Sequence, residues 1–169
     1  MINVILYQPE IHYNTGNIMR TCSSSGAKLH LIGPLGFSLD DEHLKRSAMD
    51  YKDTLEYEYY ESYEEFVKLN PNIKIHYITR YASTPHSEFD FSDISEDYYI
   101  MFGKESTGIP KEILANNLDY CMRIPMKPHA RSLNLSNCVA IVIYEILRQQ
   151  EYFSLATSEV IKGEDFLLK

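Results

Sequence analysis

At 169 residues, 44% hydrophobic and 24% charged, the chain has the composition of an ordinary globular protein and the length of one domain burying roughly 70% of the surface its unfolded form would expose. No apolar run approaches the length of a membrane span, and the opening Met1-Ile2-Asn3-Val4-Ile5-Leu6-Tyr7 has neither a basic leader nor room for a signal segment, so a cytoplasmic protein with no membrane partner is expected. The net charge of −8 speaks against a nucleic-acid partner until its distribution is read: residues 53–100 hold 11 acidic and 3 basic residues, leaving 13 of each sign elsewhere, so the remainder can still carry a basic face.

Ile2–Tyr7 reads as a buried strand, followed by a helix from about Thr15 with Asn14 as its N-cap and Gly26 just past its end. Lys28–Ile32 is a second strand and residues 33–37 a loop, after which Asp40–Met49 starts with acidic residues at the helix end that favours them. Thr54–Tyr59 is a strand, Ser62–Leu69 a helix stopped by Asn70-Pro71, and Ile73–Thr79 another strand. Residues 82–97, with Pro85 and many Ser and Asp, make a surface loop before the strand Tyr98–Phe102. A short helix follows with Pro110 at its first position, then a strand over Tyr120–Ile124. Leu135–Gln149 places Val139, Val142, Ile143, Ile146 and Leu147 at helical spacing and is apolar on more than one face, as expected of a helix packed on its own sheet and on a second subunit. The alternation implies an α/β fold, a mostly parallel sheet with helices on both faces, in one domain over residues 1–152 with a tail over 153–169.

Parallel sheets bind ligands at the carboxyl ends of their strands, and three polar segments fall there: Asn14-Thr15-Gly16-Asn17-Ile18-Met19-Arg20, Phe102-Gly103-Lys104-Glu105-Ser106-Thr107-Gly108-Ile109-Pro110, and the loop running from Ile124 to Asn137. None of the 7 glycines lies two residues from another, and Gly103-Lys104-Glu105 is not the end of a P-loop, which disfavours the common dinucleotide and P-loop sites. Gly103 and Gly108 bracket Glu105 where missing side chains would let backbone amides approach a ligand, although an ordinary strand–helix turn explains them equally. Ile124-Pro125-Met126 and Ser132-Leu133-Asn134 would present backbone groups to an adenine with Ile124, Met126 and Leu133 against its faces, while Asn134 is also placed to cap the last helix. Cys22, Cys121 and Cys138 lack CxxC spacing and read as buried thiols; His12, His30, His43, His76, His86 and His129 show no metal-ligand spacing. Neither a metal nor a catalytic histidine is expected.

In this order the three segments resemble the motifs of the SPOUT class of RNA methyltransferases, and in particular the small single-domain members that 2′-O-methylate the tRNA wobble nucleotide. The resemblance runs from Met1 to about Gln150. It implies a C-terminal trefoil knot, a rare exception to the rule against threading, and a homodimer using S-adenosylmethionine and releasing S-adenosylhomocysteine. It places the cofactor against Ile78, Thr79, Gly103, Glu105, Ile124, Met126, Ser132 and Leu133. The substrate it implies is C or U at position 34, in leucine isoacceptors; another tRNA or rRNA site, or a non-catalytic RNA-binding or cofactor-sensing module, remain alternatives. A lone arginine is most often a surface cation, but within this motif Arg20 is expected at the ribose hydroxyl and its phosphate, with Ser132 and Asn134 orienting the hydroxyl. A guanidinium resists deprotonation, so Arg20 is given a positioning and charge-stabilising role and the proton acceptor is left unassigned. Asn14, Lys45, Arg46, Lys127 and Arg131 are further candidates to meet the RNA, as is Tyr144 across a dimer interface, and all but Asn14 are equally readable as a solvated charge or a packed aromatic.

Overall fold

The computed structural model describes residues 1–40, 42–51 and 53–169. Six strands, β1 (Ile2–Tyr7), β2 (Lys28–Ile32), β3 (Tyr57–Tyr60), β4 (Ile75–Ile78), β5 (Tyr98–Phe102) and β6 (Cys121–Met122), form one parallel sheet in the order β3-β2-β1-β5-β4-β6. Among the described residues five α-helices cover it: α1 (His12–Ser25), α2 (Glu42–Asp50), α3 (Tyr63–Leu69), α4 (Lys111–Ala115) and α5 (Leu135–Gln149). Period-two alternation assigns the faces. Val4, Leu6, Leu29, Leu31, Ile100 and Phe102 meet α1 and α5, whereas Ile5, Ile32, Ile75, Tyr77 and Met101 meet Phe66 of α3 and Leu114 of α4. Such two-sided burial is why β1 reads as an unbroken apolar run.

Several boundaries differ from expectation. Helix α1 begins three residues earlier, at His12, with Ile11 at the N-cap and no side-chain cap, so Asn14 lies inside the first turn and Arg20 in mid-helix. Gly26 ends α1 at φ 72, the left-handed conformation that glycine adopts at least cost. Pro110 is the N-cap of α4, one position before the expected one. Strands β3, β4 and β6 are shorter than their apolar runs, and Leu118–Tyr120 forms a 3₁₀ turn where β6 was expected to start. The expected helix of residues 40–49 is found as α2, with Asp41 and the side chains of His43 and Met49 outside the described residues. Ser62 caps α3 by accepting from the Glu65 amide at 3.2 Å. Cys22 and Cys121 are buried and Cys138 is half-buried, all as free thiols.

The long loop between β4 and β5 is tied to the C-terminal segment at two places. Beside β6, the Arg123 amide donates to Thr84 O at 2.9 Å and the His86 amide to Arg123 O at 2.8 Å. At the end of α5, Gln149 accepts from the Phe91 amide and donates to Phe89 O, and Gln150 donates to Phe91 O. No helix among the described residues is long and apolar enough to cross a membrane.

Candidate active site

Strand order reverses direction at β1 and β5, and the crevice above such a switch is where open α/β sheets take ligands. Register decides what meets there. Leu6, Phe102, Ile78 and Met122 lie in one row across β1, β5, β4 and β6, so the segments that follow each strand emerge side by side. Thr79, Gly103 and Ile124 therefore leave the sheet as neighbours, with the Thr79 amide donating to Met122 O at 3.0 Å.

Above this row the three motifs are joined by hydrogen bonds. One carboxylate oxygen of Glu105 accepts from the Glu10 amide at 2.8 Å; the other accepts from the Ile11 amide at 3.2 Å and from Asn14 Nδ2 at 3.0 Å. Asn14 Oδ1 in turn accepts from Asn134 Nδ2 at 2.9 Å. Asn134 uses its own Oδ1 to accept from the Ser136 amide and hydroxyl, capping α5. The capping role read for Asn134 is thus realised, and the same side chain also reaches Asn14. Asn14 is only 6% exposed, and a buried amide leaves few bonds unmade without cost. Its two partners lie 91 and 120 residues away.

A second clasp runs the other way. Glu10 accepts from the Ser106 amide and hydroxyl at 2.8 and 2.9 Å, and these donors hold its carboxyl below the ordinary range. Lys104 Nζ donates to Gln8 Oε1 at 3.1 Å. Glu10 and Asn14 as fasteners between loops have no local sequence signal, because their partners are fixed by the topology alone.

The glycines of the second motif serve the strand–helix turn that was one of their two readings. A Cβ on Gly103 would lie 2.2 Å from the carbonyl carbon of Gly108 and 2.3 Å from the Ile109 amide nitrogen, so the missing side chain admits the chain's own loop. Gly108 supplies a φ of +73 at the turn, where its amide donates to Lys104 O at 2.9 Å. Glu105 uses both oxygens on the loop after β1 and on Asn14, which makes it a positioning residue that ties the second motif to the first.

The remaining candidates divide. Ile78, Thr79, Ile124 and Met126 line the mouth above β4 and β6 as half-buried residues, and Ser132 and Leu133 are exposed beside the α5 cap. Among the described residues, the backbone amides of Ile124, Met126 and Leu133 have no protein partner. Free amides beside partly exposed apolar side chains suit an adenine, which needs edge hydrogen bonds and apolar contact on its faces. Arg20 is exposed on the outward stripe of α1 with Tyr13, Asn17 and Ser24, about 9 Å along the helix axis from Asn14, and is not linked to the Glu105–Asn14–Asn134 chain. Lys45 pairs with Asp40 at 3.0 Å on the surface, and Arg46, Arg131 and Tyr144 are exposed. No group of three metal-binding side chains occurs among the described residues.

Known proteins resemble the chain in sequence and in fold. An Escherichia coli (strain K12) protein named tRNA (cytidine(34)-2′-O)-methyltransferase is 40% identical over 153 residues, covering 90% of this chain and 96% of its own. A Bacillus subtilis (strain 168) protein, provisionally named for the same activity, is 50% identical over 154 residues, covering 91% and 96%. The solved structure described as giving structural insights into the 2-OH methylation of C/U34 on tRNA superposes with a TM-score of 0.80 at 36% identity, over 90% of this chain and 97% of the other. The model of the SpoU rRNA Methylase family matches residues 1–144, and the chain therefore belongs to that family.

Proposed function

We propose that this chain is an S-adenosylmethionine-dependent methyltransferase that acts on the ribose 2′-hydroxyl of C or U at tRNA position 34. The observation that carries the reading is the hydrogen-bonded union of three loops through Asn14, Glu105 and Asn134, in a chain whose relatives named for this activity match over nine-tenths of its length. When bound, the cofactor supplies the methyl group. Ile124, Met126 and Leu133 would hold its adenine by backbone amides and apolar contact, next to Ile78, Thr79 and Gly103. Ser132, exposed two residues before the α5 cap, would meet the ribose hydroxyl, and Asn134 holds that loop through Asn14. Arg20 brings phosphate and hydroxyl into line and balances their charge. Orientation of this kind supplies a large share of the acceleration in reactions between two bound partners. Such an enzyme works where tRNA is, in the cytoplasm, and its domain, carrying the family's C-terminal trefoil knot, spans residues 1–152.

The test has two arms. S-adenosylhomocysteine at a hundredfold excess over its dissociation constant is expected to stabilise the fold by about 2.7 kcal/mol through mass action, read as a rise in melting temperature. Mapping 2′-O-methyl groups in RNA from cells with and without the protein is expected to show loss at tRNA position 34. Methylation lost from rRNA in its place would move the substrate assignment, and no methylation lost anywhere would overturn the reading.

The reading includes a homodimer, but the surface differs from the one the sequence suggested. Ile143 and Ile146, part of the apolar spacing from which a second-subunit contact was expected, are 1% and 0% exposed in the subunit's own core, so charges there would unfold the subunit before testing any interface. The outward face of α5 instead presents Ile141 and Tyr144, at 39% and 45% exposure, in the same layer as the α1 stripe that carries Arg20. Pairing through this face would cover the two apolar side chains and set one subunit's basic residues beside the other's site, in the twofold arrangement commonest among homo-oligomers. Ile141→Lys is expected to shift sedimentation from dimer to monomer and to lower tRNA methylation at least tenfold with little change in melting temperature. A wild-type monomer that is fully active at nanomolar concentration would eliminate the dimer.

A further inference from the structure

Outside the row of strand ends lies an open cleft of about 530 Å³ between the turn after β4 and the loop after β6. Its lining includes Arg80, Tyr81, Arg123, Met126, Lys127 and Pro128, and no aspartate or glutamate. Of the residues assigned above to the cofactor, only Met126 borders it. The cleft is therefore a neighbour of the cofactor site with a wall of its own.

Its walls are held in place. Thr79 Oγ1 accepts from the Tyr81 amide at 3.3 Å, Thr79 O from the Ala82 amide at 3.4 Å, and Ala82 O from the Arg123 guanidinium at 3.4 Å. This turn fixes the backbone that carries Arg80 and Tyr81 while leaving both side chains in solvent. Tyr81 is 81% exposed, unusual for a large aromatic on a fixed turn. Among the described residues neither Arg80 nor Lys127 makes an ion pair. In a chain of net charge −8, three cations around one cleft with no acid in its lining form a local basic site, which attracts phosphate. An exposed aromatic beside arginine is the pairing by which proteins hold an unpaired nucleotide, the ring stacking on the base and the cation on the backbone. The volume lies within the range of small-ligand sites and accommodates one nucleotide.

We infer that Arg80, Tyr81 and Lys127 form a subsite for an unpaired RNA nucleotide flanking the one that is methylated, with Tyr81 stacked on its base and the two cations on its phosphates. The inference rests on the proposed activity for the identity of the RNA and on the cleft for its place. Holding the neighbouring nucleotide there would fix the register of the strand across the catalytic loops, so the subsite acts on RNA affinity and leaves the chemical step to the residues above the sheet.

The test is fluorescence anisotropy with a labelled, unmodified anticodon stem-loop at several salt concentrations, with calorimetry of S-adenosylhomocysteine on the same variants. Arg80→Ala and Tyr81→Ala are each expected to weaken RNA binding about tenfold, while Tyr81→Phe binds nearly as the wild type because stacking survives. The slope of log affinity against log salt is expected to fall by about 1 for Arg80→Ala and Lys127→Ala and to hold for Tyr81→Ala. Cofactor affinity stays within twofold, and in methyl transfer the KM for tRNA rises while kcat changes little. Unchanged RNA affinity in both Arg80→Ala and Tyr81→Ala would overturn the subsite, as would a loss confined to cofactor affinity, which would give the cleft to the cofactor. A wild-type protein that binds the stem-loop but methylates no tRNA would refute the proposed activity, and the anisotropy series would still decide the subsite.

Discussion

Replacing Arg20 with alanine is expected to lower kcat for tRNA methylation by a factor of about 10³, the upper range for removing one preorganised charge-stabilising donor. Its exposure on the outward stripe of α1 separates this effect from folding: the side chain makes no ion pair among the described residues, so the melting temperature should stay within about 1 °C. Affinity for S-adenosylhomocysteine should also hold within twofold, because Arg20 makes no bond to the Glu105–Asn14–Asn134 chain that joins the loops assigned to the cofactor. Arg20→Lys should recover less than tenfold, since a point charge on a flexible stem does not reproduce a planar fork that grips phosphate and hydroxyl together. Single-turnover methyl transfer with saturating cofactor reads all three variants. Turnover near the wild-type rate in Arg20→Ala would remove Arg20 from the site and leave the methyl acceptor without a cationic partner on α1.

Much of the fold was legible because burial on both faces leaves a plain signal in sequence. β1, β2 and β5 coincide with their apolar runs, and α5 with its apolar spacing. Where the reading failed, a long-range partner had overridden a local rule. Asn14 has the residue type and position of an N-cap, yet its amide is claimed by Glu105 and Asn134, and α1 starts earlier with no side-chain cap. Ile143 and Ile146 look surplus to one sheet contact when α5 is read alone. They are buried because α5 also packs on α1, a neighbour chosen by topology and invisible to helical periodicity. The site followed the same division. The motifs singled out Glu105 and Asn134 but did not show that one carboxylate would fasten the loop after β1, nor that Arg80 and Tyr81 would close a basic cleft with Lys127 from a loop some 47 residues further on.

The tightest of these long-range constraints lies at Gly103, and Gly103→Ala is expected to be the most destabilising small substitution in the site. The added carbon would stand 2.2 to 2.5 Å from three backbone atoms of Gly108 and Ile109, none of which can swing aside as a side chain would. Relief requires the loop of residues 104–109 to move outward by more than 1 Å, which is about the difference between those contacts and ordinary carbon–carbon separations. That movement strains three things together: the Gly108 amide on Lys104 O, the burial of Ile109, and the grip of Glu105 on the Glu10 and Ile11 amides and on Asn14. Overpacking of this kind costs about 3 kcal/mol, which for a chain of this size is a fall of roughly 6 to 12 °C in melting temperature. Methylation should drop at least a hundredfold, because Asn14 then loses the partner that aligns it with Asn134. Gly108→Ala supplies the contrast. A Cβ there meets nothing within 4 Å, so only its φ of +73 is penalised, at about 1 kcal/mol. Thermal denaturation and methyl transfer on the two variants decide the matter: if Gly103→Ala were as stable as Gly108→Ala, the loop would not be packed against β5 by its own backbone, and the fixed placement of Glu105 would have to come from elsewhere.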